Sequence, residues 1–414
     1  MERMVPLPIT IEQAQQRLLE RLSPLDGELV PVRQAVGRIL TRPVSAPLAQ
    51  PPFDRSPLDG YAVRAADLAG ASAEHPAVLT VTDTLFAGDE SRVPVSPGQA
   101  VRLMTGAMLP AGADCVIRQE DTDRGTIQVQ IFKALPSGAN CIRRGEEYGP
   151  GDCLLAAGQR VDPAAAAVAA GAGLTALPVR RRPRAAVLAT GDEVCPPGQP
   201  LTPGKIHDAN TAYLTARLDQ LGVDCRAEAV GDDEAALAAA LTRLGREADL
   251  VVTTGGVSVG QKDFLETVLR HLGAELLFHG IAMKPGMPTL CALREGTVFL
   301  CLSGNPFSAA VAFELLAPPA LAVLAEDPAL LPVRTTARAA ADIEKAGTPR
   351  RFLRATCRGG VVTAPGSQAN GQMRSMVGCN CLVDMAEGTV CIRKDEPVTV
   401  VLLAGGKTPW SLER

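Results

Sequence analysis

The sequence has few aromatic residues and no strong excess of either charge. Only 3% of the 414 residues are aromatic, so the chain offers few rings on which nucleic-acid bases could stack. Its 41 Lys and Arg residues are nearly balanced by 45 Asp and Glu residues, which leaves a net charge of −4. This balance excludes a strongly basic nucleic-acid-binding protein and a polyacidic tail. We therefore expect no nucleic-acid partner.

Cysteine and histidine are not arranged as in a disulfide-rich or zinc-binding protein. The eleven cysteines are an odd number without any C-x-x-C pair, and only four histidines are present. Cys379 and Cys381 are too close in the sequence to form a zinc knuckle. Scattered cysteines of this kind are typical of reduced, mostly buried thiols in a cytosolic protein.

The sequence also lacks a segment that resembles a membrane span or a signal peptide. The stretch 164–179 is mostly Ala, is interrupted by Gly and Thr, and is followed by three arginines. It is too short and too weakly apolar to cross a bilayer. The first ten residues contain Glu2, Arg3 and two prolines and have no apolar core. We expect a cytoplasmic protein without a membrane partner.

The hydrophobic periodicity predicts several domains of different classes, and the length suits two to four of them. Thr10 precedes a short amphipathic helix. Short strands punctuated by Gly and Pro between residues 77 and 133 predict an all-β module. Strands alternate with helices over 181–327, which predicts a doubly wound α/β domain with a parallel sheet covered on both faces. Short strands return over 334–405, so the fold class is multidomain α/β plus β.

Three strand ends in the α/β region carry glycines together with hydroxyl or carboxylate side chains. They are the segments 190–193 (TGDE), 254–263 (TGGVSVGQKD) and 303–308 (SGNPFS). Because ligands of open parallel sheets bind at the carboxyl ends of the strands, these turns predict a phosphate or oxyanion site. Neither the Walker A pattern nor the dinucleotide pattern is present, and each turn alone also suits an ordinary β-to-α connection. The candidate ligand-binding residues are Gly255, Gly256, Ser258, Gly260, Ser303, Gly304 and Asn305.

Three carboxylates follow predicted strands and should gather at the same edge of the sheet. They are Glu193, Asp232 and Asp263. Clustered carboxylates repel one another unless a cation joins them, and Mg²⁺ is the expected cation beside phosphates. The alternative is that Asp232 and Asp263 only cap the helices that follow them.

Two further segments, 282–288 and 51–63, are candidate functional segments with weaker sequence signals than the three strand ends. The turn 282–288 (AMKPGMP) holds Lys284 in a rigid Pro-Gly frame, which predicts a fixed cation at an anion site. The segment 51–63 (PPFDRSPLDGYAV) has the composition of a loop that enters a strand. On spacing alone, its Asp59-Gly60 pair favours an ordinary turn.

The segment 51–63 resembles the signature of the molybdopterin molybdenumtransferases, the bacterial MoeA proteins and their gephyrin-type relatives. Further motifs occur in the order of that family and cover nearly the whole chain. They lie at 104–107, 110–114, 144–147, 190–193, 255–260, 284–286 and 303–306.

The resemblance implies a homodimer with four domains in each chain. These are a split, elongated domain I (1–45 and 143–180), an inserted β domain II (46–142), a molybdopterin-binding α/β domain III (181–327) and a small β-barrel domain IV (334–405). The resemblance places the active site between domain III of one subunit and domain II of the other. Asp59 and Thr105 would then act across the interface.

The reaction implied by the resemblance is insertion of molybdate into adenylylated molybdopterin with Mg²⁺-dependent release of AMP, the last step of molybdenum cofactor synthesis. A metal that neutralises charge suits cleavage of such a phosphate bond. Carried over by position, the acidic functional residues are Asp59, Glu147, Glu193, Asp232 and Asp263. The functional lysine corresponds to Lys284, which is followed by Pro285. The arginine and serine positions of the oxyanion pocket correspond to Arg351 and Arg354, in the arginine-rich segment 350–354, and to Ser375 after it.

This sequence departs from the family pattern at three positions. Glu147 stands where many members have Asp, and Gly280 stands where some carry a second Lys. Met287 replaces the second Lys of a frequent Lys-Pro-Gly-Lys. The positive charge around the bound oxyanion is therefore expected to be lower here.

Two other function classes remain open. The α/β domain is also similar to molybdopterin adenylyltransferases, but residues 1–180 with the 51–63 signature argue against that activity. A non-enzymatic scaffold, as in some gephyrin relatives, would have a long linker or a second fused domain, and neither is visible. A molybdopterin adenylyltransferase and downstream cofactor-maturation proteins are candidate partners.

Overall fold

A computed structural model describes residues 8–257, 264–344 and 347–403. The chain divides into two units, of which the first joins Met1–Glu28 to Arg180–Arg414 and the second is Leu29–Val179. The α-helices of the described residues are α1 (Ile11–Leu19), α2 (Val32–Ala35), α3 (Pro163–Gly171), α4 (Ala209–Gln220), α5 (Glu234–Glu247), α6 (Leu265–His271) and α7 (Pro306–Ala325).

The strands belong to one large mixed sheet, a five-stranded sheet, a barrel and several two-stranded pairs. They are β1 (Gly27–Pro31), β2 (Val44–Ser45), β3 (Gly60–Val63), β4 (Ala77–Leu85), β5 (Gln99–Leu103), β6 (Cys115–Arg118), β7 (Gln128–Ile131), β8 (Cys153–Leu155), β9 (Ala176–Arg180), β10 (Arg184–Thr190), β11 (Val194–Cys195), β12 (Ile206–His207), β13 (Asp224–Val230), β14 (Leu250–Thr254), β15 (Glu275–His279), β16 (Leu290–Arg294), β17 (Thr297–Leu302), β18 (Val333–Ala339), β19 (Ile343–Glu344), β20 (Arg351–Arg358), β21 (Val361–Thr363), β22 (Cys381–Met385), β23 (Cys391–Ile392) and β24 (Pro397–Leu402).

The second unit contains the predicted all-β module as a sheet of order β6-β3-β5-β4-β7. Strand β3, which lies between β6 and β5, is buried on both faces, because Tyr61 and Val63 face one apolar cluster while Ala62 faces another. Gly60 begins this strand where no side chain fits, since a Cβ there would lie 1.9 Å from the carbonyl oxygen of Ile117. The glycine therefore allows β3 to pair closely with β6 directly after Asp59.

Chain segments from before and after the β module pair with each other in the second unit. Strand β2 pairs with β8, and isolated bridges join Ile39 to Arg160 and Leu40 to Val179. This pairing is what a split domain requires. Helix α1, in contrast, packs on α7 and β15 in the first unit, and the predicted domain boundaries stay predictions.

The first unit is built on a six-stranded sheet of order β13-β10-β14-β17-β16-β15. The first four strands are parallel to one another. Strand β16 is antiparallel to β17, and β15 is antiparallel to β16, so the sheet that was predicted to be parallel is mixed at one edge. A hairpin at 294–296 joins β16 to β17 and causes this reversal, and its Glu295 and Gly296 both have positive φ, as a tight hairpin turn requires.

Both faces of this sheet are covered, as the sequence predicts. Along β10, Val187 belongs to the apolar cluster that contains α1, α4 and α7, while Leu188 belongs to the cluster that contains α5 and α6. Helix α7 is long and apolar enough to cross a membrane, but 94% of its most apolar window is buried inside the protein. It is therefore best described as the central core helix of this unit.

The C-terminal part of the first unit is a closed barrel of order β18-β21-β20-β22-β24, in agreement with the predicted small β-barrel. Its interior is filled by small and medium apolar side chains such as Ala355, Val383 and Val400. Gly359 and Gly360, both with positive φ, join β20 to β21 in a hairpin.

Candidate functional site

The three glycine-containing strand ends meet at the point where the strand order of the sheet reverses. Strand β10 has β13 on one side and β14 on the other, which is the usual ligand position in an open α/β sheet. Thr190 Oγ1 donates a hydrogen bond to the carbonyl oxygen of Thr254 at 3.0 Å, and the N–H of Gly255 donates to Leu302 at 3.0 Å. The expectation that these turns gather at one edge is confirmed.

Glycine is required where these turns touch. Gly255 and Gly256 have φ of +91° and +62°, and a Cβ on Gly255 would lie 2.7 Å from the carbonyl oxygen of Thr190. Gly304 packs against Gly255, with its would-be Cβ 3.7 Å from the Gly255 Cα. The absence of side chains thus lets the three turns pack closely against one another. Ser258, Gly260 and Asp263 lie outside the described residues.

The third turn is shaped by Ser303, which the sequence motifs single out, and by Asn210, which they do not. The N–H of Asn305 donates to Ser303 Oγ at 3.2 Å, which holds the start of α7. Asn210 Nδ2 donates to the carbonyl oxygen of Gly304 at 2.9 Å. The only sequence signal for Asn210 was its position at the start of a helix that follows a strand end.

Two of the acidic residues at this edge have roles that differ from those predicted from the sequence. Asp233, and not Asp232, caps helix α5 by accepting a hydrogen bond from the N–H of Ala236 at 2.7 Å. The alternative that Asp232 caps this helix is therefore wrong. The N–H of Asp232 donates to Asp192 Oδ1 at 3.0 Å, so strand ends β10 and β13 bring Asp192 beside it.

The predicted metal ligands are only partly described. Glu193 is exposed, and its carboxylate folds towards Gly191, where a Cβ would lie 2.5 Å from Oε2. Within the described ranges, no group of three His, Cys, Asp or Glu side chains is close enough to hold a metal ion. With Asp263 outside those ranges, the Mg²⁺ site stays a prediction. The carboxylate oxygens that this edge offers are nevertheless the ligand type that Mg²⁺ prefers.

The turn that carries Lys284 is fixed by the barrel. The N–H of Lys284 donates to Arg350 and its carbonyl oxygen accepts from Phe352, both at 2.9 Å, which places Lys284 opposite Arg351 in a parallel bridge. Gly286 has a φ of +98° and its carbonyl oxygen accepts from Thr289 Oγ1 at 2.7 Å. The main chain is therefore held firmly, as predicted, while the Lys284 side chain is exposed.

The arginines after this turn have very different surroundings. Arg350 forms ion pairs with Asp384 and Glu12, both at 2.7 Å, and the hydrogen bonds that its guanidinium donates to Asp384 and Glu12 raise the pKa of Arg350 above its ordinary value. Arg351 is half-buried, and its side chain forms no ion pair with another residue that the structure describes.

Arg354 is fully buried on the barrel side of the junction. Its guanidinium lies over the Phe307 ring at 3.5 Å from the ring centre, and it donates to Ser375 Oγ at 2.8 Å and to Ala369 at 2.7 Å. Burial lowers the pKa of Arg354. The two residues assigned to the oxyanion pocket by resemblance, Arg354 and Ser375, are therefore in direct contact.

Asp59 and Thr105 lie together in the second unit. Asp59 Oδ1 accepts hydrogen bonds from the N–H of Thr105 at 2.7 Å and from its hydroxyl at 2.8 Å. The backbone donor and then the hydroxyl lower the pKa of Asp59. These two hydrogen bonds hold the Asp59 carboxylate in one orientation, and both come from Thr105, which lies outside the Asp59-Gly60 turn. Glu147 is exposed, with its N–H bonded to Gln50.

Three family models match this chain in sequence order. They are the MoeA N-terminal region (domain I and II) over 9–173, the probable molybdopterin binding domain over 186–323, and the MoeA C-terminal region (domain IV) over 336–403. Fold and site thus define a multidomain protein with a central domain of the molybdopterin-binding class. Molybdopterin molybdenumtransferase 2 from Mycobacterium tuberculosis is 36% identical over 389 residues, covering 92% of this chain and 96% of the relative. The chain belongs to the MoeA family of molybdopterin molybdenumtransferases.

Other relatives agree with this assignment. The molybdopterin molybdenumtransferase of Bacillus subtilis is 32% identical over 417 residues, covering 98% of this chain and 97% of the relative. The molybdopterin biosynthesis MoeA protein from Pyrococcus horikosii, whose crystal structure is known, is 30% identical in sequence. The match covers 96% of this chain and 99% of the Pyrococcus chain, and the two structures superpose with a TM-score of 0.83. The resemblance noted from the motifs is confirmed.

Proposed function

We propose that this enzyme inserts molybdate into adenylylated molybdopterin and releases AMP, in the last step of molybdenum cofactor synthesis. The observation that carries the proposal is the meeting of three glycine-containing turns at the switch point of a sheet whose domain matches the molybdopterin-binding family. Main-chain N–H groups at such turns bind phosphate oxygens without needing a charged side chain. We assign the phosphate-linked part of the pterin substrate to these turns, at Gly255, Gly256, Ser303 and Asn305, with Ser258 and Gly260. The N–H groups of Gly255 and Asn305 already donate to Leu302 and Ser303, so these two residues would shape the turns rather than supply free main-chain donors.

The oxyanion pocket is assigned to the junction between the Lys284 turn and the barrel. Molybdate is a dianion, so fixed positive charge must offset the nearby carboxylates. Arg350 cannot provide it, because two carboxylates already neutralise its guanidinium. Lys284 supplies an exposed cation and Arg351, opposite it in the bridge, a half-buried one, while Arg354 and Ser375 form a buried hydrogen-bonded pair beside them. Pro285 keeps the lysine main chain in place.

The pocket contains fewer cations than the common family pattern. Gly280 and Met287 replace lysines at the two positions beside the turn, and Met287 is 48% exposed, so its side chain is at the surface. We infer that Lys284 therefore accounts for a large share of the molybdate attraction in this chain.

Mg²⁺ is assigned to Glu193, Asp232 and Asp263 at the edge of the sheet. Bound there, the cation would neutralise charge that develops on the phosphate as AMP leaves. Asp192 positions the main chain of Asp232 and so helps to direct the Asp232 carboxylate. Asp59, oriented by Thr105, is proposed to complete the site from the second subunit of a cytoplasmic homodimer.

The function is tested by measuring AMP release from adenylylated molybdopterin with and without molybdate and Mg²⁺. We expect release only when both are present, and no formation of adenylylated molybdopterin from ATP and molybdopterin. Molybdate-independent release, or ATP-dependent adenylylation, would refute the assignment and favour the adenylyltransferase alternative.

The shared active site has its own test. Mixed dimers of Asp59→Asn and Glu193→Gln chains should recover part of the activity that each variant lacks, because one of the two sites in each mixed dimer is intact. Mixing each variant with itself is the control. Lack of any recovery in verified mixed dimers, or a monomeric chain in light scattering, would contradict the cross-subunit site.

A further inference from the structure

His279 contacts both the glycine-rich turn and the helix that follows it in the chain. The residue ends strand β15, and only 17% of its side chain is exposed. Its Nδ1 lies 2.8 Å from Glu266 Oε2 on α6, and its Nε2 lies 3.4 Å from the carbonyl oxygen of Val257. One imidazole therefore links α6 to the end of the turn that contains Gly255 and Gly256.

The chemistry of the two partners defines what the ring does. A carboxylate and a carbonyl oxygen are both acceptors, so the ring donates to whichever it binds, and the imidazolium form donates to both. Glu266 also accepts a hydrogen bond from Arg270 Nε at 3.0 Å. Burial raises the pKa of Glu266, but the hydrogen bonds from His279 and Arg270 outweigh it, and its pKa is lowered overall. The carboxylate is therefore a charged, well-held anchor for the imidazole.

The glycine turn has little room to move relative to α6. A Cβ on Gly256 would lie 3.3 Å from Leu265 Cδ1 on α6 and 3.3 Å from Thr190 Oγ1 on the other side. The turn is thus packed between the end of β10 and α6, and the position of α6 decides where the main-chain N–H groups point. Displacements of a fraction of an ångström at such a site change binding measurably.

We propose that His279 is a positioning residue for the adenylylated pterin substrate: by bonding Val257 to Glu266 it fixes the Gly255–Gly256 main chain in its ligand-binding conformation. The identity of the substrate rests on the proposed function. His279 lies on β15, behind the turn, and is not assigned a contact with the reacting atoms.

Two substitutions separate the two contacts. The amide nitrogen of Gln occupies roughly the place of the imidazole Nε2, so His279→Gln keeps a donor to Val257. The amide nitrogen of Asn corresponds to Nδ1, so His279→Asn keeps only the donor to Glu266. His279→Phe removes both while filling the space. His271→Gln is the matched control, because His271 is an exposed histidine on α6 that also faces a glutamate, 4.0 Å away.

The direct measurement is a calorimetric titration with adenylylated molybdopterin, together with the molybdate concentration for half-maximal AMP release. We expect His279→Phe and His279→Asn to weaken pterin binding about fivefold to tenfold, as for loss of one hydrogen bond that positions the turn. His279→Gln should recover most of the affinity, and His271→Gln should behave as the unaltered chain. The molybdate dependence should stay within about twofold in all four variants.

Pterin affinity unchanged in His279→Asn, or a molybdate dependence that shifts as much as the pterin affinity, would overturn the proposal. If His279→Phe does not fold, the Asn and Gln pair still decides it. If the unaltered chain binds no adenylylated pterin at all, the proposed function fails separately. Amide exchange at Gly256 then tests the positioning role alone: it should be faster in His279→Asn than in His279→Gln, and equal rates would refute it.

Discussion

Replacing Lys284 by Met tests the oxyanion pocket most selectively. The main chain at this position is held by two hydrogen bonds to the barrel and the side chain is exposed, so the substitution should leave the turn and the stability almost unchanged. What it removes is one fixed cation and its charge-assisted hydrogen bond to a dianion. Such a bond contributes about 1.4 kcal/mol, which corresponds to roughly tenfold in affinity. Arg351 remains opposite, so attraction should weaken without disappearing.

The assay is AMP release as a function of molybdate concentration at saturating adenylylated pterin. Lys284→Met should raise the half-saturating molybdate concentration about tenfold or more. Lys394→Met, at an exposed position of the barrel, changes the net charge equally and should have no effect. If Lys284→Met leaves the molybdate dependence unchanged but weakens pterin binding, Lys284 is a pterin phosphate ligand and the placement of the oxyanion pocket is wrong.

Three further predictions follow from particular contacts. Asp232→Asn should slow AMP release, with an activation free energy raised by about 2–4 kcal/mol, and should leave the stability unchanged. Asp233→Ala should keep the activity and lower the free energy of unfolding by about 1 kcal/mol, because only Asp233 caps α5. The reverse result in rate and denaturation measurements would show that Asp232 has a structural role. Glu314 on α7 forms a buried ion pair with Arg217 on α4. Glu314→Gln should lower the free energy of unfolding in urea titrations by about 3 kcal/mol, because the buried charge of Arg217 is left uncompensated. A decrease below about 1 kcal/mol would contradict this. The pKa of Asp59 is lowered in the folded chain, so its ionised form persists as the pH falls until that lowered pKa is reached. Thr105→Val removes one of the donors and should move the acidic limb of the pH–rate profile to higher pH, and an unmoved limb would show that Asp59 does not control it.

Local sequence patterns predicted most of the fold because the relevant signals are local. Thr10, which precedes the predicted helix, caps α1 in a capping box with Gln13, and Asp162 caps α3 beside its proline. Gly191, Gly255 and Gly256, in two of the three strand-end turns, likewise have positive φ. The fold class and the short C-terminal strands could therefore be predicted from local patterns, whereas the closed barrel was expected only from the family resemblance.

The remaining site properties depend on contacts that are distant in the sequence. Arg350 is neutralised partly by Glu12, which lies 338 positions earlier, so no local pattern distinguishes it from Arg351. Asp232 and Asp233 are adjacent and chemically equal, and only the start of α5 decides which of them is the cap. The role of His279 depends on the packing of α6 beneath the glycine turn, which the sequence does not reveal.

The central claim is that release of AMP is coupled to insertion of molybdenum into the pterin. Its most direct test is a single-turnover reaction in which released AMP and pterin-bound molybdenum are both counted, by chromatography and by mass spectrometry. The account predicts one molybdenum atom bound to the pterin for each AMP released, with neither product formed when molybdate is omitted. AMP release without matching incorporation of molybdenum would show that the enzyme only hydrolyses the adenylylated pterin, and would contradict the account.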